Sequence, residues 1–533
     1  VKIYSYSGVF QSTTNVSFSV KDRSCINRTG FSLAESVKFI SSYEIEATTP
    51  RHPEGCSDVV AGNYTLTNGY SFVALGFTSN QVTQDLSVIN TVTDELFDTN
   101  PYLPGINSFS FDEPVVPMGM AFTKGDKPAT KLLIVDYYSG NLKIADASNF
   151  EIIDEVILQN PELLHEDPGA FDVAVSEDGK YAYIAHMTPG TIHPKPPEPS
   201  PYIWNPSGSI SVVNLGDKFH NPFLIDIDND STTTSEGAPA GKTRIEPPAD
   251  WKFVPLSIED IFVSKTVMMY EVGDKWPGEY LFLSGVGPAE WDWIPDPKCK
   301  PRELCPLVGI LLPRPIEVAV VDVNPYKVLG KKIENGVVIL ELGPNLMYRK
   351  FIKKISIGRG GEFFSNTGLS FYKFQEFHSA NAYIYAVNST QNVAAIIDFN
   401  ALDVLKDENG APILIPTGNT PTDVKVQKVT FNTIPPQDVT YAYITNAGDD
   451  SVTVIDTETN TELPYPKSPI EQNMCFDLFH YPTSFDTRSV GDWGYSSDYY
   501  SSTVSVFDLP NSLCLNILLR ARLICLLIHI QRR

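Results

Sequence analysis

Three aspartates at alternate positions are the first candidate metal ligands in this chain. Asp226, Asp228 and Asp230 recur at every second residue of a polar segment. Calcium prefers oxygen ligands, and calcium-binding loops place carboxylates at such alternate positions. Ser231 and Gly237, however, stand where a helix-loop-helix calcium loop needs its glycine and its bidentate glutamate. The segment therefore keeps two interpretations, a degraded calcium site and a solvated acidic turn, and calcium is the one cofactor that a motif suggests.

A pair of cysteines is the second candidate for chemistry. Cys299 and Cys305 lie six positions apart in a segment rich in proline and charge. This spacing favours a short loop closed by a disulfide bond, and hence an oxidising compartment. The alternative is two unpaired thiols. Zinc is not favoured, because no second cysteine pair or nearby histidine completes four ligands.

Motifs of known enzyme classes are absent from the sequence. It contains no nucleophile elbow, no glycine-rich phosphate loop, no HExxH zinc motif and no CxxCH haem site. Its eight histidines are scattered without paired spacing. The residues by themselves therefore give no direct support for catalysis.

The charge balance narrows the range of partners. The chain of 533 residues has 40 Lys or Arg against 64 Asp or Glu, a net charge of −24. Nucleic acid is excluded as a partner on this ground, because neutralising phosphates needs a basic surface. Sequons for N-glycosylation add weak support for a location outside the cytoplasm, whether secreted, periplasmic or on the cell surface. The predicted glycosylation sites are Asn15, Asn27, Asn63 and Asn388.

The elements that would position these residues are β-hairpins. In residues 440–460 two runs alternate with period two, as strands do, around a turn of Asn, Gly and Asp. One such unit cannot bury its own faces, so it is expected to recur. It does so in residues 71–90, 132–146, 181–185 with 208–214, 280–283 with 317–322, 383–398 and 493–508.

A further strand, here called the leading strand, is predicted before each hairpin. Aligning these strands brings one residue of each to a common position, and seven hairpins with seven leading strands indicate a propeller. Aspartates at this position would line the mouth of a channel or bond to the next strand. The aligned residues are Asp58, Gly119, Asp172, Ser257, Gly368, Asp423 and Ser484. In the last unit an aspartate, Asp486, follows two positions after the aligned Ser484.

With these repeats in view, the chain resembles the YVTN-type β-propeller repeat proteins. Residues 440–460 (TYAYITNAGDDSVTVIDTETN) follow that repeat almost residue for residue, and the resemblance spans about residues 55–510. It implies an all-β fold of four-stranded blades around a channel, with seven blades expected. Proteins with this repeat include surface-layer and secreted proteins, lactonase-like enzymes and propellers with metal or haem cofactors. Fold alone does not choose among them.

Two insertions interrupt the repeats and are predicted to form the binding surface. Residues 187–206 contain Trp204, and residues 285–315 contain Trp291 and Trp293 together with the cysteine pair. Both are expected on one face of neighbouring blades, where loops on a rigid scaffold serve recognition. The predicted partner is a protein, a surface glycan or a small ligand. The alternative is that both loops only pack over the rim.

The two ends of the chain do not fit the repeat. We divide the chain into an N-terminal hairpin with a closing strand (1–50), the propeller (51–510) and an atypical apolar and basic tail (511–533). Residues 37–47 are predicted to be the outer strand that closes the last blade beside residues 503–507; the alternative is an eighth blade. The tail could be an amphipathic or terminal strand, or a membrane segment, although Arg520 and Arg522 make insertion costly.

The function expected from these features is that of a secreted or cell-surface propeller that binds or organises its partner through loops on one face. The alternative is a lactonase-like hydrolase, or a propeller carrying a metal or another cofactor, with its site at the channel mouth. A hydrolase would need His, Glu and Arg to converge on the channel, which the repeat register does not establish.

Overall fold

The structure, a computed structural model, is built from strands and turns. It describes residues 3–5, 14–21, 34–39, 43–47, 59–66, 71–73, 75–80, 83–90, 95–97, 108–123, 131–147, 151–158, 170–186, 192–193, 203–204, 208–216, 222–225, 244–245, 258–263, 279–286, 290–295, 307–312, 314–334, 337–361, 369–373, 382–399, 401–431, 437–463, 481–487, 493–498, 503–509 and 513–519. The described residues contain strands and no helix, so the all-β prediction is confirmed.

The strands are numbered in chain order. The N-terminal strands are β1 (Ile3–Ser5), β2 (Thr14–Lys21), β3 (Ala34–Phe39), β4 (Tyr43–Ala47), β5 (Val59–Leu66) and β6 (Ser71–Val73). Next come β7 (Leu75–Asn80), β8 (Asp85–Asn90), β9 (Glu95–Leu96), β10 (Ser108–Ser110), β11 (Pro117–Phe122), β12 (Lys131–Asp136), β13 (Leu142–Asp146) and β14 (Glu151–Val156). The middle of the chain forms β15 (Ala170–Val175), β16 (Tyr181–His186), β17 (Ile192–His193), β18 (Ile203–Trp204), β19 (Ser209–Asn214), β20 (Phe223–Leu224) and β21 (Arg244–Ile245).

The second half of the chain continues the series. Its first strands are β22 (Ile258–Val263), β23 (Tyr280–Val286), β24 (Glu290–Pro295), β25 (Leu307–Leu312), β26 (Arg314–Asp322), β27 (Tyr326–Glu334), β28 (Val337–Pro344) and β29 (Lys350–Gly361). They are followed by β30 (Leu369–Lys373), β31 (Ala382–Asn388), β32 (Val393–Asp398), β33 (Asp403–Val404), β34 (Leu414–Pro416), β35 (Pro421–Phe431), β36 (Gln437–Asn446), β37 (Ser451–Asp456) and β38 (Thr461–Glu462). The last strands are β39 (Pro482–Thr487), β40 (Trp493–Asp498), β41 (Thr503–Asp508) and β42 (Leu513–Leu519).

Seven antiparallel sheets share one pattern within this described part of the chain. Each runs from a leading strand through the two hairpin strands to an outer strand. In chain order the sheets, here numbered 1 to 7, are β3-β7-β8-β10, β11-β12-β13-β14, β15-β16-β19-β20, β22-β23-β26-β29, β30-β31-β32-β33, β35-β36-β37-β38 and β39-β40-β41-β42.

The hairpins form because their turn residues accept a left-handed backbone. In three sheets the residue just before the third strand has a positive φ: Gln84 and Asn392 at 55° and Asp450 at 54°. In sheet 2 it is Gly140, two residues before β13, with a φ of 69°. Asn, Asp and Gly tolerate this region better than other residues. In sheet 6 the turn sets the register that pairs Asn446 with Ser451 and Tyr441 with Asp456.

The apolar core lies between the sheets. One cluster of buried side chains fills each junction of consecutive sheets, and a further cluster joins sheet 7 to sheet 1, where Ile89 packs with Tyr495, Val504 and Val506. Each leading strand contacts the leading strand of the next sheet, and β39 contacts β3. This arrangement of four-stranded sheets is that of a β-propeller.

The N-terminal prediction was wrong. Residues 34–39 and 43–47 form two strands, and neither pairs with β41. Instead, β3 pairs with β7 as the leading strand of sheet 1, while β41 pairs with β42 from the C-terminal tail. The tail pairs with the free edge of β41 because Leu513–Leu519 follows β41 closely in the chain and needs only a short turn.

Two of the aligned leading-strand positions were also misplaced. Asp58 is outside the described residues, and the strand that follows it, β5, pairs with β2 rather than with the hairpin of sheet 1. In sheet 4 the equivalent residue is Asp260, opposite Ser284, instead of Ser257. The register of sheet 3, where Asp172 lies opposite Ala185 after a bulge, shows the same geometry.

Candidate binding face

The ends of the sheets at which the second strand connects to the third define what we call the insertion face. In sheet 3 this connection contains β17 and β18, where Ile192 pairs with Trp204. In sheet 4 it contains β24 and β25, which pair over six residues from Glu290–Leu312 to Pro295–Leu307. Both insertions therefore form hairpins at the same end of neighbouring sheets.

The predicted tryptophans all lie on these hairpins. Trp204 is in β18, and Trp291 and Trp293 are in β24, opposite Leu311 and Gly309. Trp291 and Trp293 are two positions apart in this strand. The backbone thus places three aromatic residues on two adjacent projections.

The last residue of each second strand is polar and buried in most sheets, directly beneath the insertion face. Asn446 Nδ2 donates to Ser451 Oγ and Thr453 Oγ1 at 3.0 Å each. Asn80 Nδ2 donates in the same way to Asp85 Oδ1 and Ser87 Oγ at 2.9 Å. These bonds tie the hairpin turn to the third strand. The equivalent residues elsewhere are Asp136, His186, Asn388 and Asp498, and all of them are buried.

Asp498 differs from the other residues at this position because three hydroxyl groups surround its carboxyl group. Its carboxylate accepts hydrogen bonds from Ser505 Oγ (2.7 Å), Thr503 Oγ1 (2.9 Å) and Ser496 Oγ (3.2 Å). Burial nevertheless raises the pKa of Asp498 to about 8, against the lowering effect of these three hydroxyl groups. Burial therefore favours the neutral form of this carboxyl group.

His186 and Asp136 hold their own turns. His186 Nε2 and Ser211 Oγ lie 2.7 Å apart, and the histidine is fully buried. Asp136 Oδ1 accepts from the backbone N–H groups of Val116 and Tyr138 at 2.9 and 3.0 Å. Neither side chain is an exposed catalytic group in this arrangement.

The leading-strand aspartates bond to the next sheet. Asp423 Oδ2 accepts from Phe485 N (2.8 Å) and Ser484 Oγ (3.0 Å), and Asp172 Oδ2 accepts from Ile261 N (3.3 Å). A Cβ on Gly119 would overlap Asp172, which explains glycine at that position of sheet 2. Of the two interpretations, bonding between strands is the one that Asp172 and Asp423 show.

Asp486 also joins two sheets. Its carboxylate forms an ion pair with Lys425 Nζ of β35 and accepts from Thr487 N at 2.9 Å. Nearby, Thr487 Oγ1 donates to Gln427 Oε1 at 2.8 Å. These contacts connect the leading strands of sheets 6 and 7, so Asp486 has a structural role too.

The remaining predicted site residues fall mostly outside the described residues. Asp226, Asp228, Asp230, Cys299, Cys305 and Asn27 belong to this group, whereas Asn15 and Asn63 lie in strands β2 and β5. Within the described part of the chain, no group of three or more His, Cys, Asp or Glu could hold a metal ion. No helix there has the length and apolar character to cross a membrane.

Asn388 has a geometry that does not suit a glycan. It is fully buried, and its Nδ2 donates to Ile357 O (3.2 Å) and Gln391 Oε1 (3.0 Å). A glycan would have to be attached to this same nitrogen. The folded chain leaves no room for it there.

Sequence analysis missed one exposed element. The strands β27 and β28 form a separate two-stranded sheet between the third and fourth strands of sheet 4. Asn335 and Gly336 stand between them in the sequence, and an Asn-Gly pair between two segments with strand-forming residues is a strong hairpin signal. The signal was present in the sequence and lay outside the repeat pattern.

Comparisons with known proteins do not assign this chain to a family. No family model and no curated protein matches this chain. Among solved structures it is similar to Kuenenia stuttgartiensis hydrazine synthase, with 12% identity over 81% of this chain and 92% of that chain and a TM-score of 0.38. The dihydro-heme d1 dehydrogenase NirN in complex with DHE has 12% identity over 90% of this chain and 78% of that chain, with a TM-score of 0.38.

A third similar structure is apo AztD from Citrobacter koseri, with 8% identity over 84% of this chain and 94% of that chain and a TM-score of 0.30. At these identities and TM-scores the similarities carry no argument about activity. The propeller arrangement rests on the strand pairings and junction clusters described above.

Proposed function

We propose that this protein is a closed seven-bladed β-propeller of the YVTN-repeat type, located outside the cytoplasm, that acts as a binding or structural module. Three observations support seven blades and closure: seven sheets of one pattern, a cyclic series of contacts between leading strands, and an apolar cluster between sheets 7 and 1. A closed ring also leaves few unpaired edges.

The binding surface in this proposal is the insertion face over sheets 3 and 4. The observation that carries it is the pair of hairpins, β17–β18 and β24–β25, at the same end of adjacent sheets. Hairpins are more rigid than open loops, so they position Trp204, Trp291 and Trp293 at a lower entropic cost on binding. Trp is also enriched at binding hot spots. The partner in this proposal is a protein, a surface glycan or a small ligand.

The hydrolase alternative gains no support from the described residues. Asp172, Asp423 and Asp486 bond to neighbouring strands, and His186 is buried against Ser211. These contacts give all four residues a structural role.

A variant of the β24 hairpin tests this function. The full chain is screened on arrays of surface glycans and of extracellular proteins, and the strongest ligand is titrated against wild type and Trp291→Ala/Trp293→Ala. We expect at least a tenfold loss of affinity in the double variant. Ile153→Ala, an exposed residue on the outer strand of sheet 2, is the control and should bind as wild type does. Equal binding by all three proteins, or binding to neither array, contradicts the proposal.

A further inference from the structure

The β27–β28 hairpin exposes an unusual amount of apolar surface. Six of the eleven large apolar side chains that are exposed among the described residues lie in this hairpin or in the turn after it. Exposed apolar groups on this scale mark an interaction surface. They are Tyr326 (63%), Leu329 (60%), Ile333 (72%), Leu342 (55%), Leu346 (76%) and Met347 (42%).

These side chains lie on both faces of the hairpin. Tyr326 pairs with Pro344 and Leu342 pairs with Val328, and these positions share one face. Gly343, between Leu342 and Pro344, belongs to the opposite face, and a Cβ there would overlap Leu329. Both faces of the ribbon therefore carry exposed apolar residues.

The hairpin is basic although the chain is acidic. Residues 326–350 contain five Lys or Arg and two Glu, a net charge of +3, whereas the whole chain carries −24. Lys327, Lys332 and Lys350 are exposed, and none of them forms an ion pair with a residue that the structure describes. At physiological salt, charges more than about 8 Å away are largely screened, so the hairpin's own charge governs its contacts.

An arginine lies at the base of this hairpin. Arg349 has a positive φ of 55°, and its guanidinium is 4.7 Å from the Tyr348 ring and 5.2 Å from the Tyr181 ring. Its Nε is buried without a hydrogen-bond partner in the described part of the chain. The two rings hold the guanidinium in place, and the exposed residues Met347 and Lys350 are near Arg349 in sequence.

We propose that the β27–β28 hairpin is a docking element for an anionic lipid surface. Apolar and aromatic side chains insert at the boundary between headgroups and acyl chains, while lysines around them contact anionic headgroups. A fluid lipid surface can accept a ribbon that is apolar on both faces, whereas a protein groove commonly covers one face. This combination favours lipid over an acidic protein partner.

The proposal is independent of the function proposed for the insertion face. In sheet 4 the β24–β25 hairpin leaves the start of β26, and the β27–β28 hairpin leaves its end. The two hairpins therefore lie at opposite ends of one strand. A lipid-bound chain would direct its insertion face away from that surface.

Vesicle co-sedimentation with the full chain tests the docking element. We expect binding to vesicles with about one-third anionic phosphatidylglycerol, little binding to pure phosphatidylcholine, and a strong decrease at high salt. Ile333→Ser/Leu342→Ser and Lys327→Glu/Lys332→Glu should each lower the partition coefficient at least tenfold. All four residues are exposed, so both variants should fold, which unchanged melting curves would verify. Ile153→Ser is the matched control and should bind as wild type does.

Three results would overturn the proposal. One is the absence of binding to anionic vesicles, and another is equal binding by wild type and both hairpin variants. The third comes from sedimentation velocity without lipid: if wild type self-associates and the hairpin variants are monomeric, the surface binds a second copy of this chain. Binding of the glycan or protein ligand of the insertion face should be unaffected by the hairpin variants.

Discussion

Asp498 occupies a position at which three other sheets have asparagine, and the exchange reverses the direction of the local hydrogen bonds. In sheet 6 the amide of Asn446 donates to the hydroxyls of Ser451 and Thr453. In sheet 7 the equivalent hydroxyls of Thr503 and Ser505 donate to the carboxylate of Asp498. The same turn is thus held either by a neutral amide or by a buried acid whose pKa is raised to about 8.

Replacing this acid should change how stability depends on pH. The pKa of Asp498 is about 8 in the folded chain and 3.8 as its ordinary value, so between these values only the folded state retains the proton. The contribution of Asp498 therefore becomes less favourable as pH rises from about 4 to about 8, by at most about 1.4 kcal/mol per pH unit. Asp498→Asn should remove this slope.

Urea denaturation of both proteins between about pH 5 and about pH 7.5 measures the difference. We expect the free energy of unfolding of Asp498→Asn, relative to that of wild type, to increase as pH rises. Asp407→Asn, at an exposed turn of sheet 5, is the control and should keep the wild-type slope in this range, since hydrogen bonds from Ala411 N lower the pKa of Asp407. Parallel curves for wild type and Asp498→Asn would show that the buried carboxyl keeps an ordinary pKa.

Asp423 is expected to hold sheets 6 and 7 together. Asp423→Ala leaves the N–H of the buried Phe485 without its carboxylate acceptor, and a hydrogen bond to a charged group contributes about 1.5–3 kcal/mol. Chemical denaturation should show a loss of this size. Glu408→Ala, at an exposed turn, should change stability little. An equally small change for Asp423→Ala would mean that the hydrogen bond between Phe485 N and Asp423 does not stabilise the packing of sheet 6 against sheet 7.

At the scale of elements, sheet 4 differs from the other sheets, as far as the structure describes them, because it carries a hairpin at each end of β26. The β24–β25 pairing ends with Pro295 opposite Leu307, so the connection between these strands contains both Cys299 and Cys305. A bridge there would shorten the free length of the connection and restrict the hairpin that carries Trp291 and Trp293. The bridge would thus restrain the β24–β25 hairpin and not the blade strands.

We predict that Cys299 and Cys305 are joined by a disulfide bond. Alkylation without reductant, followed by mass spectrometry, should find both thiols protected, and reduction should make both reactive. In Cys299→Ser the remaining Cys305 should become alkylated. Two alkylated thiols in wild type isolated under oxidising conditions would contradict the bridge.

At the scale of the whole molecule, stability comes from contacts between sheets more than from any one sheet. Successive residues of β12 enter different cores: Leu132 and Ile134 pack toward sheet 1, and Leu133 and Val135 pack toward sheet 3. A hairpin strand is therefore buried on both faces. Removing one sheet would expose the facing cores of both its neighbours.

Equivalent isoleucines test whether the ring is closed between sheets 7 and 1. Ile89 of sheet 1 and Ile455 of sheet 6 are both fully buried at the same repeat position and face the preceding sheet. In a closed ring Ile89→Ala and Ile455→Ala should each destabilise the protein by about 2–5 kcal/mol. Thermal or chemical denaturation measures both. A loss below 1 kcal/mol for Ile89→Ala alone would show that this junction is open.

Much of the fold was readable in the sequence because the repeat is local. The alternation in residues 440–460 predicted β36 and β37 and their turn, and the same pattern located the hairpin strands of the other sheets. Period-two alternation predicts a strand but does not say how many of its faces are buried: Ala442 and Ile444 pack toward sheet 5, and Tyr443 packs toward sheet 7. The Asn-Gly pair of the β27–β28 hairpin also predicts a tight turn, although it lies outside the repeat pattern.

The sequence by itself determined the unit of this protein: the two hairpin strands, their turns and the positions of both large insertions. Those features depend on residues close together in the chain, where propensity and turn chemistry act. Tertiary structure decided which distant strands pair, so that β3 and not the predicted strand at Asp58 leads sheet 1, and β42 and not residues 37–47 completes sheet 7. It also decided that Asp172 and Asp423 bond across sheets, because a strand's pattern records that a face is buried but not against which neighbour.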